Sequence, residues 1–173
     1  MKKIILIIIS ITMLIMFTTK EKYYVIPNEA IRLRIVANSN SIKDQYIKKQ
    51  VKENISKEIE EILKTSSLEE SREIIQNNIE KIEKVVKETL EESGYETKFN
   101  IKFGNNYFPK KIYKNVEYKE GEYESLVITI GEGKGENWWC VLFPPICSLE
   151  ETDKNEIEYS LYVKELIEKY TKK

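Results

Sequence analysis

The sequence contains no histidine, and only two cysteines and two tryptophans occur among its 173 residues. Histidine is the commonest general base and a member of the usual serine and cysteine triads, so those classes of hydrolase are excluded. A zinc centre needs three or four ligands from Cys, His or acidic residues, and Cys140 with Cys147 alone cannot supply them. We therefore predict a protein that works without a metal or another cofactor.

Carboxylates are the remaining catalytic groups. Glu122, Glu124 and Glu132 could supply the pair of acids that glycosidases hold a fixed distance apart. Glutamate accounts for nearly all of the 29 acidic residues, however, and most of them are expected to be solvated surface charges. An exported cell-wall-modifying hydrolase that uses carboxylates is therefore kept as an alternative.

The N-terminus has the layout of an export signal. Lys2 and Lys3 precede the apolar run Ile4–Phe17, and Lys20 starts a charged segment behind it. The run is shorter than the roughly 20 residues of a comfortable transmembrane helix. Phe17-Thr18-Thr19 is a poor cleavage site, so both a cleaved signal peptide and a retained anchor remain open. We predict that residues 1–20 form a signal peptide or membrane anchor.

The rest of the chain is the size of one domain, which we place at residues 27–170. Three of the 28 basic residues lie in the leader, so this domain is acidic overall. An acidic domain lacks the clustered positive charge that a nucleic-acid surface needs, and no nucleic-acid partner is expected.

Hydrophobic periodicity predicts an α+β fold with two layers, in which a helical hairpin and a C-terminal helix pack on a mostly antiparallel sheet. Period-two alternation indicates strands, and apolar residues spaced three and four apart indicate helices that line the protein's own core. The predicted elements are a strand at Ala30–Ala37, helices from Ser41 to about Leu63 and from Ser67 to a cap at Gly94, strands at Tyr95–Phe103, Tyr123–Ile130 and Trp138–Phe143, and a helix at Asn155–Tyr170.

Two further features fall between these elements. Gly104-Asn105-Asn106 is typical of a turn, and Pro109 restricts Tyr107–Tyr113 to an edge strand or a loop. Tyr123–Ile130 is apolar on both faces in its later half, which favours a central strand.

The glycine-rich segment Gly131–Asn137 fits neither nucleotide-binding pattern, and its glutamates would repel phosphate. A flexible connector is the plain interpretation. It precedes Trp138 and Trp139, however, and tryptophan often anchors protein interfaces. Strand alternation predicts that one of these rings lies in the core and that its neighbour is exposed.

Cys140 and Cys147 flank Pro144-Pro145 in the part of the chain that would be exported. Outside the cytoplasm they could form a disulfide that closes this turn. Two buried free thiols are the alternative, because free cysteine packs as a small apolar residue.

Two stretches carry a family resemblance: IRLRIVANSNS at Ile31–Ser41, with Asp44-Gln45 beyond it, and GEGKGENWWCVLFPPIC at Gly131–Cys147. Together they resemble the stage II sporulation protein R family of endospore-forming bacteria. Ile42-Lys43 departs from the acidic pair expected in that family, and the C-terminal tail carries no matching motif.

The resemblance implies a signalling protein without a catalytic site. Members of the family are made in the forespore and secreted across its membrane into the intermembrane space. There they activate a membrane-embedded aspartic protease of the mother cell, which processes the precursor of sigma factor E. If the leader is uncleaved, the membrane is a second partner. A non-catalytic structural protein of the membrane surface is the other alternative.

We expect the partner-binding residues at one strand end and in the glycine-rich segment. They are Arg32, Arg34, Asn38, Asn40, Gly131, Glu132, Gly133, Gly135, Asn137, Trp138 and Trp139. Asn38–Ser41 could instead owe its residue types to its position as a turn and helix start.

Overall fold

The computed structural model describes residue 4 and residues 24–64, 67–147 and 155–171. The predicted leader, apart from Ile4, lies outside the described residues. Within the described ranges, no helix is long and apolar enough to cross a membrane. The strands are β1 (Tyr24–Val25), β2 (Ile31–Val36), β3 (Phe99–Phe108), β4 (Lys111–Tyr113), β5 (Val116–Tyr118), β6 (Gly121–Ile130) and β7 (Asn137–Phe143), and the helices are α1 (Ile42–Ile62), α2 (Leu68–Asn77), α3 (Ile79–Glu92) and α4 (Glu156–Thr171).

The main sheet has four strands in the order β3-β6-β2-β7. β2 runs parallel to β6 and antiparallel to β7, and β3 runs antiparallel to β6. Leu33 of β2 lies between Leu126 of β6 and Cys140 of β7. The predicted strands are present, although β3 begins at Phe99 and not at the predicted Tyr95. β6 occupies the central position that its apolar faces indicated.

The helical hairpin covers one face of this sheet. Ile47, Val51 and Ile55 on α1 are buried with Ile82 and Val86 of α3 in the main core. This is the stripe of three- and four-residue spacings seen in the sequence, so the two helices line the protein's own core as predicted.

The helix ends follow the capping signals of the sequence. Ser41 accepts a hydrogen bond from the backbone N–H of Asp44, and Ser67 accepts one from that of Glu70. At the end of α3, Gly94 has φ +57°, and the N–H groups of residues 94 and 95 bond to the carbonyls of Glu91 and Leu90. This is a Schellman motif, which confirms Gly94 as the C-terminal cap.

Two local predictions were wrong. The second helix is interrupted at Asn78, whose side-chain amide donates to the carbonyl of Ile74 and so competes with the helical ladder. Gly104-Asn105-Asn106 is not a turn but part of β3, because these residues pair with Tyr123–Ser125 along the ten-residue strand β6. Local turn signals gave way to long-range strand pairing.

A small second sheet has the order β1-β5-β4. Its β4–β5 hairpin turns at Lys114 and Asn115, which both have positive φ, as two-residue hairpin loops require. The sheet packs with α4 in a second core that contains Ile26, Val116, Val141 and Tyr159. Val141 belongs to this core and its neighbours Cys140 and Leu142 to the main one, so the two cores lie on opposite faces of β7. The α+β class and the C-terminal helix are confirmed, whereas the division into two sheets is additional to the prediction.

Candidate functional site

The two segments singled out in the sequence lie against each other. The turn at residues 37–41 follows the end of β2. The glycine-rich segment Gly131–Asn137 connects β6 to β7, the two strands that flank β2 in the sheet. Four backbone N–H groups of the segment donate to this turn: Glu132 to Asn38 Oδ1 (2.9 Å), Lys134 to Asn38 O (3.0 Å), Gly135 to Ala37 O (2.9 Å) and Glu136 to Asn40 Oδ1 (2.7 Å). The segment is therefore anchored along its length, and its interpretation as a flexible connector was wrong.

Glycine is needed where the segment meets the turn. Gly131 has φ +58°, and a Cβ added there would lie 2.2 Å from Asn38 Oδ1. A Cβ at Gly135 would lie 2.3 Å from the backbone oxygen of Ser39. Both contacts are far inside van der Waals distance, so the spacing of these glycines serves a close approach of two backbones.

Asp44 fixes the other side of the turn. This buried carboxylate accepts hydrogen bonds from Ser39 Oγ (2.6 Å), Asn38 Nδ2 (2.9 Å) and Tyr95 Oη (2.5 Å). These bonds, led by those from Ser39 and Tyr95, lower the pKa of Asp44 to about 2. Asn38 thus bonds to Asp44 with its amide nitrogen and to the glycine-rich segment with its amide oxygen.

Arg32 and Arg34 project from the face of β2 that lies opposite the main core. Arg32 is 2% exposed, and its guanidinium lies 3.3 Å from the ring centroid of Tyr123. The guanidinium of Arg34 lies 5.6 Å from the ring centroid of Phe108 and 5.4 Å from that of Trp139. Burial lowers the pKa of both groups. Within the described part of the chain neither forms an ion pair with a carboxylate, and neither Nε has a hydrogen-bond partner.

The predicted alternation of the tryptophans needs one adjustment, since both rings are partly exposed. Trp138 lies beside the main core, with Lys52 Nζ of α1 5.1 Å from its ring centroid. Trp139 lies on the arginine face and packs edge-on against Phe108 at 5.1 Å. The two rings therefore border β7 from both faces of the sheet.

The sulfur atoms of Cys140 and Cys147 form a disulfide, with Cα atoms 5.5 Å apart. Of the two alternatives considered from the sequence, the structure contains the bridge rather than two free thiols. It ties the middle of β7 to the segment that follows the Pro144-Pro145 turn.

The acids considered for hydrolysis are engaged elsewhere or exposed. Glu124 accepts two bonds from Arg72, at 2.6 and 2.8 Å, and so joins α2 to β6. Glu132 is exposed and paired with Lys134 at 2.7 Å. Among the described residues, no group of three or more Cys, His, Asp or Glu side chains could hold a metal ion.

The eleven predicted site residues thus fall in three places. Asn38, Asn40 and the glycine-rich segment form one hydrogen-bonded ridge, Arg32, Arg34 and Trp139 lie on one face of the sheet, and Trp138 lies beside the main core. Sequence reasoning missed the aromatic partners of these arginines, Phe108 and Tyr123, and the Asp44 partner Tyr95. Alternation marked Tyr95 and Tyr123 only as members of predicted strands, and Phe108 lay in a segment expected to be an edge strand or a loop.

The family model of stage II sporulation protein R (spore_II_R) matches residues 27–153. Stage II sporulation protein R of Bacillus subtilis (strain 168) is 46% identical over 127 residues, which cover 73% of this chain and 57% of that relative. The match thus spans little more than half the length of the curated relative. No solved structure matches the chain.

Proposed function

Because the chain belongs to the stage II sporulation protein R family, we propose that it is an exported signal that activates a membrane-embedded aspartic protease during sporulation. The family match gives the chain a role in sporulation. In the proposal, the forespore secretes the protein into the intermembrane space. The protease of the mother-cell membrane then processes the precursor of sigma factor E. The chain itself is not an enzyme in this scheme.

One observation carries the proposal: the family match includes both the Asn38–Ser41 turn and the glycine-rich segment, which the fold packs into one ridge. The ridge presents backbone, amide and charged groups on a fixed frame. Its acid Glu132 is exposed and paired with Lys134, and Glu124, another acid considered for catalysis, is bound by Arg72. A preformed surface of this kind favours recognition of another protein.

Activation by binding requires a difference in affinity. The signal must bind the active state of the protease more tightly than its idle state, because equal binding shifts no equilibrium. Moving the protease from mostly idle to mostly active takes about 5 kcal/mol of differential binding. A rigid partner meets this requirement well, since little of its binding free energy is lost in ordering its own backbone.

The test is reconstitution in a bacterium that does not sporulate. The full chain is expressed with the protease and the sigma factor E precursor, and processing is followed by immunoblot. We expect processing only when all three proteins are present and the protease retains its catalytic aspartates.

Equal processing without the chain would falsify the proposal. A hydrolase of the cell wall would show itself differently, through release of wall fragments that depends on Glu122, Glu124 or Glu132. The Glu122→Gln variant separates the two functions, because Glu122 is exposed and lies outside the predicted partner-binding residues.

A further inference from the structure

A groove runs between the two sheets and meets the ridge at Glu136 and Asn137. It has a volume of about 700 Å³, within the range of roughly 300–1,000 Å³ that ligand sites occupy. The first residues of β7 form one wall and the whole of β4 forms the other. We propose that this groove binds an extended, acidic segment of another polypeptide by strand addition.

The walls of the groove are free strand edges. β7 is the outer strand of the main sheet and β4 is the outer strand of the small sheet. In the described ranges, neither strand has a neighbour on its outer side. Free edges present unpaired backbone N–H and C=O groups, which an extended segment can satisfy. The groove therefore offers two backbone ladders to one occupant.

The positive charge of the groove favours an acidic ligand. Arg32, Lys52 and Lys111 line it, with Glu136 as the acidic member. The groove is thus positive on a domain that is acidic overall. Lys111 is exposed and makes no ion pair with a described residue. Acidic side chains of an incoming strand would complement these cations.

Arg32 provides the most specific argument. Arg32 is 2% exposed, its Nε has no hydrogen-bond partner, and its other contacts are with Tyr123 and, from Nη2, with the carbonyl of Lys119 at 3.4 Å. A buried cation is usually paired with an acid because its desolvation is costly. Here aromatic rings surround it, and the carboxylate that would complete the arrangement is expected to come from the ligand.

The remaining lining suits alternate side chains of a strand. Ile112 and Tyr113 are 48% and 44% exposed on β4, and Trp138 and Trp139 border β7. In an extended segment, side chains point alternately to the two faces, so apolar and acidic residues in alternation match this lining. The inference does not depend on which receptor supplies the segment, because binding is measured on the purified chain alone.

The probe is the acetylated and amidated peptide Thr-Glu-Val-Glu-Val-Glu-Thr, titrated against the full chain in an uncharged, non-glycosidic detergent. Both tryptophans of the sequence line the groove, so their fluorescence reports occupancy directly. One control peptide replaces each Glu by Gln, and a second replaces each Val by Pro. We expect each control to bind about tenfold more weakly, through lost charge pairing or lost strand pairing.

Two protein variants localise the binding. Lys111→Glu is expected to weaken the acidic peptide about fivefold. Lys57→Glu makes the same charge change at an exposed position of α1 outside the groove and should leave binding unchanged. Arg32→Lys keeps a cation but loses the planar fork, and it should weaken binding with a native circular dichroism spectrum.

Equal affinity for the acidic and neutral peptides, or no binding of either, overturns the proposal. So does a Lys57→Glu effect as large as that of Lys111→Glu, which would indicate non-specific attraction. A fluorescence response to a hexamer of N-acetylglucosamine, with none to the acidic peptide, would assign the aromatic groove to a glycan instead.

Discussion

The side-chain oxygen of Asn38 accepts a hydrogen bond from the backbone N–H of Glu132 at 2.9 Å, across 94 positions of the chain. The same side chain donates to Asp44 at 2.9 Å. Asn38 therefore joins the end of β2, the start of α1 and the connection between β6 and β7. The residues that seemed suited to partner contact first of all hold the ridge in shape.

The close approach at this point predicts a large effect of Gly131→Ala. Gly94 is a matched control, because both glycines have nearly the same positive φ and a Cβ at Gly94 would meet nothing within 4 Å. Gly94→Ala should cost only backbone strain, about 1–2 kcal/mol. Gly131→Ala should cost about 1–3 kcal/mol more, because Asn38 must move and leave its partners unpaired. Urea unfolding measures the free energy of unfolding of both variants. Equal losses would contradict the close contact between Gly131 and Asn38.

The hydrogen bonds around Asp44 predict that the free energy of unfolding falls as the pH is lowered. Its pKa is about 2 in the folded state, below the value of about 4 in an unfolded chain. A depressed pKa adds stability above pH 4 that is lost as the pH falls towards 2. Asp44→Asn should therefore be less stable than the natural protein at pH 7, and the difference should shrink between pH 4 and pH 2.

Unfolding free energies at pH 7, 4, 3 and 2 test this dependence. Glu83→Gln serves as the control, because Glu83 is an exposed acid of α3 that takes no part in the network. A gap between Asp44→Asn and the natural protein that stays constant down to pH 2 would count against the network.

Periodicity located most of the fold but not its long-range details. The alternation of β2 and the spacing of α1 are local signals, and both were sufficient. The division of the second helix at Asn78 depends on one side-chain bond, and the extension of β3 through Gly104 depends on pairing with β6. Such competition between local and distant partners cannot be resolved from residue types alone.

The candidate site was predictable in its residues and not in their arrangement. Asn38 and Gly131 were identified as separate motifs, and nothing local indicates that their atoms meet. The aromatic surroundings of Arg32 likewise arise from β3 and β6, which are distant in sequence. Alternation placed these side chains on a face, but register was needed to bring them together.

The disulfide predicts a modest gain in stability. The cysteines are seven positions apart, and closing so short a loop contributes about 2 kcal/mol by restricting the unfolded chain. A reducing agent should lower the melting temperature of the natural protein. It should leave the Cys140→Ala, Cys147→Ala double variant unchanged, and an equal shift in both proteins would point to an effect unrelated to the bridge.

If the groove contacts the protease, substitution of Trp139, which lines it, should weaken signalling. Trp139→Leu should reduce sigma factor E processing in the reconstituted system several-fold. The reason is that removing a tryptophan from a contact site costs about 1 kcal/mol or more of binding free energy. Tyr107→Leu is the control, because Tyr107 is 55% exposed and lies outside the groove. Processing by immunoblot is read together with the melting temperature of each variant. Equal processing by both variants, at equal stability, would remove Trp139 from the contact surface.

The short strand β1 has a mechanical consequence. It joins the small sheet by pairing with β5, and its first residue, Tyr24, is bonded to Asn115 in the β4–β5 turn. The chain from Phe17 to Tyr24 can span at most about 25 Å. If the leader stays in a membrane, this tether attaches to the sheet that carries β4, and its length limits how far the groove can lie from that membrane. Cleavage of the leader would remove this limit.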